Sequence, residues 1–323
     1  MKRHFKHALQ VLLALIFGFA GFAVQGQKLE GTLRLIVGYS PGGASDRAAR
    51  LVGDALQKRY GVTVIVENRT GAGGRLAAQQ FKLATAADNV LMLGNPAVIT
   101  VAPLVFKGVG YDPEADFVPV SQVTSYEFGV AVGPQVPVNQ LNDLLAWLAA
   151  NPQKVFFGVP ATGSLPHFFA LMLGERANLK ADVVGYKGSA PLTTDLIGGQ
   201  IPVAVDTLDS LLPLHDGGKL KVLATSGLSR SPFAKDVSTF REAGVDLVAS
   251  GWNTFFAPRS MPGDKVRELA TAIQTVMADP AVRKQFVAAN MDPVSASQEQ
   301  TVSMLKAYHA QWEPAIKRSG FQE

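Results

Sequence analysis

The sequence predicts an α/β protein of two lobes, with a ligand-binding cleft between them. Short apolar runs typical of strands alternate with stretches of helical periodicity, which indicates mainly parallel sheets. Ten such runs in a chain of 323 residues suggest two sheets rather than one. The predicted strands are residues 33–37, 62–67, 90–93, 118–123, 129–132, 155–159, 183–186, 203–206, 221–224 and 254–257.

The order of these elements predicts two connections between the lobes. We expect the chain to cross near residues 124–127 and to return near residues 250–253. One lobe then combines residues 27–125 with 253–323, and the other holds residues 126–252. The first lobe is therefore predicted to be discontinuous in sequence.

The C-terminal part, residues 264–321, is predicted to be helical. Val266, Leu269, Ile273 and Val276 recur at the three- and four-residue spacing of one helix face. These helices complete the discontinuous lobe.

The N-terminal residues 1–26 are predicted to be a secretory signal peptide. Three basic residues precede an apolar stretch at residues 8–24, and small residues follow it. An uncleaved membrane anchor is the alternative, but the glycines and the small-residue end favour cleavage, after Ala23 or Gly26. The protein is therefore expected to be exported.

Charge and composition exclude several classes of function. Without residues 1–26 the chain keeps 27 basic and 26 acidic residues, a net charge of +1 with no basic block, so no nucleic-acid partner is expected. The absence of cysteine excludes disulfides, thiolate metal sites and a cysteine nucleophile. The exported chain's histidines, His167, His215 and His309, lack metal-ligand spacing, so neither a metal nor a cofactor is predicted.

The segment Gly-Tyr-Ser-Pro-Gly at residues 38–42 fits the G-x-S-x-G pattern of serine hydrolases. Ser40 would be the nucleophile, and Asp206 and His215 follow in the hydrolase order. The chemistry argues against this, because the residue after the nucleophile supplies an oxyanion N–H and Pro41 has none. A secreted hydrolase remains the alternative hypothesis.

Three strand-to-helix loops share a design that favours anion binding. Their glycines let a ligand approach the main chain, and a helix start presents N–H donors with partial positive charge, which suits a carboxylate or phosphate group. Arg69 and Arg75 flank the second loop and are expected to be solvated surface charges. Leu76 replaces the third glycine of a dinucleotide-binding fingerprint. The three loops read YSPGGASD, NRTGAGGR and VPATGSLPH.

Three polar residues near these loops have a purely structural interpretation as well. Asp46 and Ser164 are expected mainly to stabilise the first turns of their helices. Asp206 ends an apolar strand, where ligands of open α/β sheets lie, but it also resembles a helix N-cap. Its role as a cap or as a ligand-binding residue stays open at this point.

With these residues considered together, the chain resembles the Bug proteins, the periplasmic solute-binding receptors of tripartite tricarboxylate transporters. The similarity covers nearly the whole exported chain, and the order and spacing of its motifs make it specific. The motifs are IVGYSPGGASDRAAR, VIVENRTGAGGRLAA, GVPATGSLPHFFALMLGE, YKGSAPLTTDLIGGQIPVAVD, KLKVLATSGLSRSP, FREAG and GWNTFFAP.

This resemblance implies a type II periplasmic-binding-protein fold, the Venus flytrap, without catalysis. It implies a monomeric periplasmic receptor that binds a small carboxylate through backbone N–H groups and bridging waters. The partner is a tripartite tricarboxylate-type membrane permease or, alternatively, a signalling sensor. The predicted ligand-binding residues are Tyr39, Pro41, Gly42, Gly43, Ser45, Asp46, Gly71, Ala72, Gly73, Gly74, Asn95, Thr162, Gly163, Ser164, His167 and Asp206.

Overall fold

The structure is a computed structural model that describes Leu29 and residues 31–186 and 188–322. The predicted signal peptide, residues 1–26, lies outside the described residues. Among the helices of the described ranges, none is both long enough and apolar enough to cross a membrane.

The first sheet has six strands and is built from two separate parts of the chain. Its strand order is β11-β4-β10-β3-β1-β2. The strands are β1 (Thr32–Val37), β2 (Thr63–Asn68), β3 (Val90–Gly94), β4 (Phe117–Tyr126), β10 (Gly251–Pro258) and β11 (Asp292–Pro293).

The second sheet has five strands, all from the middle of the chain. Its strand order is β7-β6-β8-β5-β9. The strands are β5 (Phe128–Val132), β6 (Phe156–Val159), β7 (Asp182–Gly185), β8 (Val203–Thr207) and β9 (Lys221–Thr225). The two-lobed α/β fold is therefore confirmed, and each of the ten predicted strands is present; the two-residue β11 was not predicted.

The expectation of mainly parallel sheets is wrong, because both sheets are mixed. Strands β1, β2 and β3 pair in parallel, as do β6, β7 and β8. Strand β10 is antiparallel to β3 and β4, and β5 is antiparallel to β8 and β9. The chain enters the second lobe through β5 and returns to the first lobe through β10. Each of these strands therefore begins at the sheet edge where the neighbouring strands end.

Eleven α-helices accompany the two sheets in the described part of the chain. The longest helix of the first half, α1, buries Ala48, Ala49, Val52 and Leu56 on one face and ends at Gly61, whose φ of 68° is left-handed. The helices are α1 (Ala44–Tyr60), α2 (Arg75–Phe81), α3 (Ala102–Val105), α4 (Pro113–Asp116), α5 (Leu141–Ala150), α6 (Leu165–Arg176), α7 (Ser189–Ile197), α8 (Leu208–Asp216), α9 (Gly263–Ala278), α10 (Pro280–Ala288) and α11 (Gln298–Arg318).

The C-terminal helix α11 contacts both lobes. Near its start, the Thr301 hydroxyl accepts a hydrogen bond from the Gln122 amide of the first sheet. The Tyr308 hydroxyl donates to the Ser250 carbonyl, just before β10 begins. Beyond the helix end, the Phe321 ring packs edge-on against His167 in the second lobe, with centroids 5.0 Å apart.

The strand directions bring the carboxyl ends of both sheets to one cleft. Strands β1 to β4 all end at the same edge of the first sheet, and β6 to β9 all end at one edge of the second. Only Glu127 separates β4 from β5, so the two edges face each other. Loops at the carboxyl ends of strands are where open α/β sheets bind ligands. The exact lobe boundaries stay a prediction.

Candidate functional site

A cavity of about 560 Å³ lies between the two sheet edges and has walls from both lobes. Nine of the sixteen residues predicted to bind a ligand line it: Tyr39, Gly43, Ser45, Gly73, Asn95, Thr162, Gly163, Ser164 and Asp206. The other seven do not, and they are Pro41, Gly42, Asp46, Gly71, Ala72, Gly74 and His167. The structure therefore divides each predicted loop into a lining part and a supporting part.

The N-terminus of α1 opens directly into this cavity. Gly43 is the N-cap residue and, as a glycine, has no side chain with which to cap the helix. The backbone N–H groups of a first helical turn have no partner within the helix, and the helix dipole gives them partial positive charge. Gly43, Ala44 and Ser45 line the cavity here, so the helix presents main-chain donors to whatever occupies it.

Asp46 supports this loop from behind. Its carboxylate is buried and accepts hydrogen bonds from the Gly42 amide at 2.8 Å, the Asn68 side chain at 2.8 Å and Arg50 Nε at 3.0 Å. Burial raises the pKa of Asp46, but the hydrogen bonds outweigh it, so the pKa lies below its ordinary value. Its carboxylate oxygens are engaged by these groups and do not line the cavity, so the role of Asp46 as a direct ligand contact stays a prediction. Pro41 and Gly42 lie on the exposed outer side of the loop.

The second glycine loop packs against the first through backbone contact. A Cβ added at Gly38 would lie 2.8 Å from the Cα of Gly74. This close approach explains the first glycine of the G-x-S-x-G pattern without any catalytic role. Gly74 is buried with a φ of 91°, whereas Gly71 and Ala72 are exposed, so Gly73 is the one glycine of this loop that lines the cavity.

Tyr39 and Asn95 connect the loops at the cavity wall. The Asn95 side-chain amide donates to the Tyr39 hydroxyl at 2.8 Å, and that hydroxyl lies 3.2 Å from the Gly73 carbonyl, to which it can donate. Burial raises the pKa of Tyr39 to about 12, so the phenol is neutral. The pair fixes the orientation of Gly73.

The third loop, in the second lobe, has its donors partly occupied. The Gly163 amide donates to His167 Nδ1 at 2.9 Å, and Ser164 caps α6 as predicted, with its hydroxyl accepting from the His167 amide. His167 is buried and stacked on Phe168, and burial lowers its pKa. His167 therefore positions the loop as a neutral acceptor and does not reach the cavity.

Asp206 faces the cavity from the end of β8. It is 1% exposed; its Oδ1 accepts from the Thr207 amide at 2.7 Å, and its Oδ2 has no hydrogen-bond partner among the described residues. Burial raises the pKa of Asp206 to about 7, and nearby Asp209 adds to the rise. The N-cap residue of α8 is Thr207, so the capping interpretation of Asp206 is wrong.

Arg75 lies in the wall of the cavity, and the expectation of a solvated surface charge is wrong. Its guanidinium carbon lies 3.4 Å from the centroid of the Phe106 ring, and both residues line the cavity. The sequence shows that Arg75 lies beside a glycine loop, but no local pattern indicates that this loop contacts Phe106. By contrast, Arg69 forms a 2.8 Å ion pair with Glu67 and does not line the cavity.

Other lining residues were not singled out from the sequence. Tyr126 and Asn253 belong to the two predicted crossings and Phe128 directly follows the first, but the crossings were used to place the lobes and not the site. Asn253 accepts a hydrogen bond from the Ser45 hydroxyl at 2.9 Å. Asp209 lies in the first turn of α8, and its Oδ2 lies 3.9 Å from Arg47 Nη2 of the first lobe. For Tyr126, Phe128 and Asn253, the signal available in the sequence was their position in or next to the predicted crossings between the lobes.

The hydrolase alternative lacks an assembled triad. Ser40 is exposed and lies outside the cavity lining. His215 is near the far end of α8, where its Nδ1 accepts a hydrogen bond from the Val222 amide. The rise of a helix places residues 208 and 216 about 12 Å apart, so His215 is remote from Asp206. In the described ranges, no group of three potential metal-binding side chains is present.

Comparison with known sequences supports the resemblance. The sequence model of the tripartite tricarboxylate transporter family receptors matches residues 48–321. A protein of the UPF0065 group from Bordetella bronchiseptica is 30% identical over 290 residues, which cover 90% of this chain and 86% of that protein. Protein BugT of Bordetella pertussis is 29% identical over 290 residues, covering 89% of each chain.

Solved structures show the same architecture. Rpa4515 of R. palustris, determined with adipate, has a TM-score of 0.83 and 29% identity, covering 90% of this chain and 98% of that one. MatC from Rhodopseudomonas palustris, with bound malate, has a TM-score of 0.77 and 25% identity, covering 88% and 99%. The chain belongs to the tripartite tricarboxylate transporter receptor family, whose members are solute-binding proteins and not enzymes.

Proposed function

We propose that this protein is an exported receptor that captures a small carboxylate in its interlobe cleft and delivers it to a tripartite tricarboxylate-type permease. The observation that carries the proposal is the uncapped N-terminus of α1 in the cavity wall. A carboxylate there accepts hydrogen bonds from main-chain N–H groups that have no partner within the helix.

The first-lobe loops support this arrangement of donors. Gly43 has extended backbone angles, with φ −70° and ψ 166°, and no side chain to screen the amides that follow it. Asp46 and Asn68 hold the loop from behind through the hydrogen bonds described above. The structures similar to this chain include one with adipate and one with malate, and both of those ligands carry two carboxylates.

We further propose that the receptor closes on its solute. The chain passes between the lobes at Glu127 and again before Gly251, which is the connectivity of a two-strand hinge. Arg47 and Asp209 face each other across the opening at 3.9 Å. A solute that contacts both lobes stabilises the closed state by its higher affinity for it.

The predicted signal peptide and the family together support a location in the periplasm, where the protein acts as a monomer. The membrane permease is the proposed recipient of the solute. Pull-down of the permease subunits by the solute-loaded receptor tests that assignment, and capture of a sensor domain instead would favour the signalling alternative.

Calorimetry tests the binding function directly. We expect at least one compound in a panel of mono-, di- and tricarboxylates to bind. The corresponding amides should bind at least tenfold more weakly, because main-chain donors interact more strongly with an ionised acceptor. Gly43→Val should abolish binding, since its side chain enters the cavity. Equal affinity for acids and amides would contradict the proposal.

A matched control separates this effect from general destabilisation. Gly263 begins α9, is exposed, and like Gly43 has no positive φ, but it lies outside the cavity lining. Gly263→Val should therefore leave the affinity for the acid unchanged. If both variants lose binding equally, the effect of Gly43→Val cannot be assigned to the cavity.

A further inference from the structure

We propose that Arg75 determines the specificity of the cleft by binding the second carboxylate of a dicarboxylate solute. The inference rests on the proposed function, in which the first carboxylate lies at the N-terminus of α1. It extends that function from carboxylates in general to solutes that carry an anionic group at each end.

Arg75 has no partner for its charge in the part of the chain that the structure describes. Its side chain is half-buried and lines the cavity, yet among the described residues its guanidinium makes no ion pair and no hydrogen bond. Other arginines of the first lobe differ: Arg34 and Arg69 both pair with Glu67. A cation in a cavity wall without an internal partner is complementary to an anionic solute.

The guanidinium of Arg75 stacks on the Phe106 ring. At 3.4 Å between the guanidinium carbon and the ring centroid, the cation lies over the face of the ring. This contact fixes the side chain but uses none of its N–H donors. The guanidinium edge therefore stays free for two parallel hydrogen bonds to one carboxylate.

Arg75 does not stabilise the helix to which it belongs. It is the first residue of α2, where the helix dipole disfavours a cation. It makes no contact with an acidic side chain of the following turn, because the sequence of α2 is RLAAQQF. Stability of α2 therefore gives no reason for an arginine at this position.

The remaining wall indicates what lies between the two carboxylates. Ala97, Phe106, Tyr126, Phe128 and Leu165 line the cavity together with the polar groups. Aliphatic or aromatic carbon packs favourably against such side chains. The chemical class is thus a dicarboxylate with an apolar spacer.

The test compares each dicarboxylate with its own monoamide, which has the same size but one charge fewer. Titration calorimetry with the series from succinate to suberate identifies the best-bound acid, and its monoamide is then titrated. We expect Arg75→Gln to weaken the dicarboxylate about 10- to 100-fold and to change monoamide affinity less than about threefold. Arg75→Lys should fall between, because it keeps the charge and loses the planar fork.

Arg69→Gln is the control, since Arg69 flanks the same glycine loop but pairs with Glu67 outside the cavity. It should leave both affinities unchanged. If Arg75→Gln weakens acid and monoamide equally, Arg75 only shapes the cleft and the inference is overturned. If wild type binds monoamides as tightly as diacids, the inference fails and the proposed function stands. If wild type binds no carboxylate, the proposed function itself fails.

Discussion

The two walls of the cleft present opposite chemistry to a solute. The first-lobe wall offers the α1 N-terminus, whose N-cap residue is a glycine, and the Arg75 guanidinium, which has no ion pair or hydrogen bond within the described ranges. In the second-lobe wall, Ser164 caps α6, His167 occupies the Gly163 amide, and the carboxyl groups of Asp206 and Asp209 face inward. One wall therefore supplies donors and positive charge, and the other supplies mainly acceptors.

This difference suggests a division of roles between the lobes. Under the proposed function, the carboxylate lies in the first lobe, where donors are free. In the proposed closed state the second lobe contacts the rest of the solute, and its acidic groups disfavour an anion on that side. The following predictions test this division, beginning with the largest expected effect.

Two glycines that support the opposing walls should differ in their effect on carboxylate affinity. A Cβ at Gly74 would lie 2.8 Å from Val98 Cγ2, at a φ of 91°, and a Cβ at Gly185 would lie 2.7 Å from the Thr162 amide nitrogen. We expect Gly74→Ala to lower the free energy of unfolding by about 2–4 kcal/mol and carboxylate affinity more than about tenfold. Gly185→Ala should displace Thr162 yet lower affinity less than about threefold.

Urea denaturation and calorimetry measure both effects. Gly218→Ala is the control for backbone strain alone, because Gly218 has a φ of 65° and nothing within 4 Å of its added Cβ. It should cost about 1 kcal/mol and leave affinity unchanged. A loss of affinity in Gly185→Ala as large as in Gly74→Ala would show that both walls hold the carboxylate.

Asp206 should make the unliganded protein less stable as the pH rises. Its folded pKa of about 7 lies above the ordinary value, so the folded state holds the proton more tightly than the unfolded state does. The penalty is absent below about pH 4, grows as the pH rises towards 7, and is complete above it. At pH 8 we expect Asp206→Asn to raise the free energy of unfolding by about 1–4 kcal/mol.

Denaturation curves of wild type and Asp206→Asn at pH 4, 6 and 8 check this prediction. The difference between the two proteins should shrink as the pH falls and be close to zero at pH 4. A constant difference at all three values would mean that ionisation of Asp206 is not its cause, and the negative character of the second wall would lose its main support.

The interlobe pair of Arg47 and Asp209 should contribute least. Its atoms are 3.9 Å apart and the Arg47 side chain is 42% exposed, so solvent screens most of the attraction. We expect Arg47→Ala to lower affinity about two- to threefold, within the range of up to about 1 kcal/mol for exposed ion pairs. Small-angle scattering should still show compaction on binding. Loss of compaction in this variant would make the pair a determinant of closure.

Local sequence patterns were sufficient to locate ten of the eleven strands of the described residues; the two-residue β11 lies in the part predicted to be helical. Apolar runs such as residues 33–37 and 203–206 form strands because most of their side chains are buried. This burial does not depend on the direction of the neighbouring strands. The direction of pairing could not be predicted in this way. Whether β5 and β10 run antiparallel to their neighbours depends on where the chain crosses between lobes, and a strand has the same apolar pattern in both directions.

The glycine loops were likewise visible in the sequence, but their division into lining and supporting residues was not. Gly73 and Gly74 are adjacent and both have positive φ, yet one lines the cavity and the other is buried under Tyr39 and Val98. His167 ends the third loop, three residues after Ser164. Nothing in this spacing indicates that His167 accepts a hydrogen bond from the Gly163 amide, or that it faces away from the cavity.

The sequence by itself determined the strands, the glycine loops at their ends and the family, because each of these depends on residues close together in the chain. The tertiary structure decided which groups the cleft combines. Arg75 becomes a cavity residue only because Phe106, 31 positions later, lies beneath its guanidinium, and Asp206 has a pKa of about 7 only because packing removes it from water. Stacking and desolvation depend on distances in space, which no local pattern of residues records.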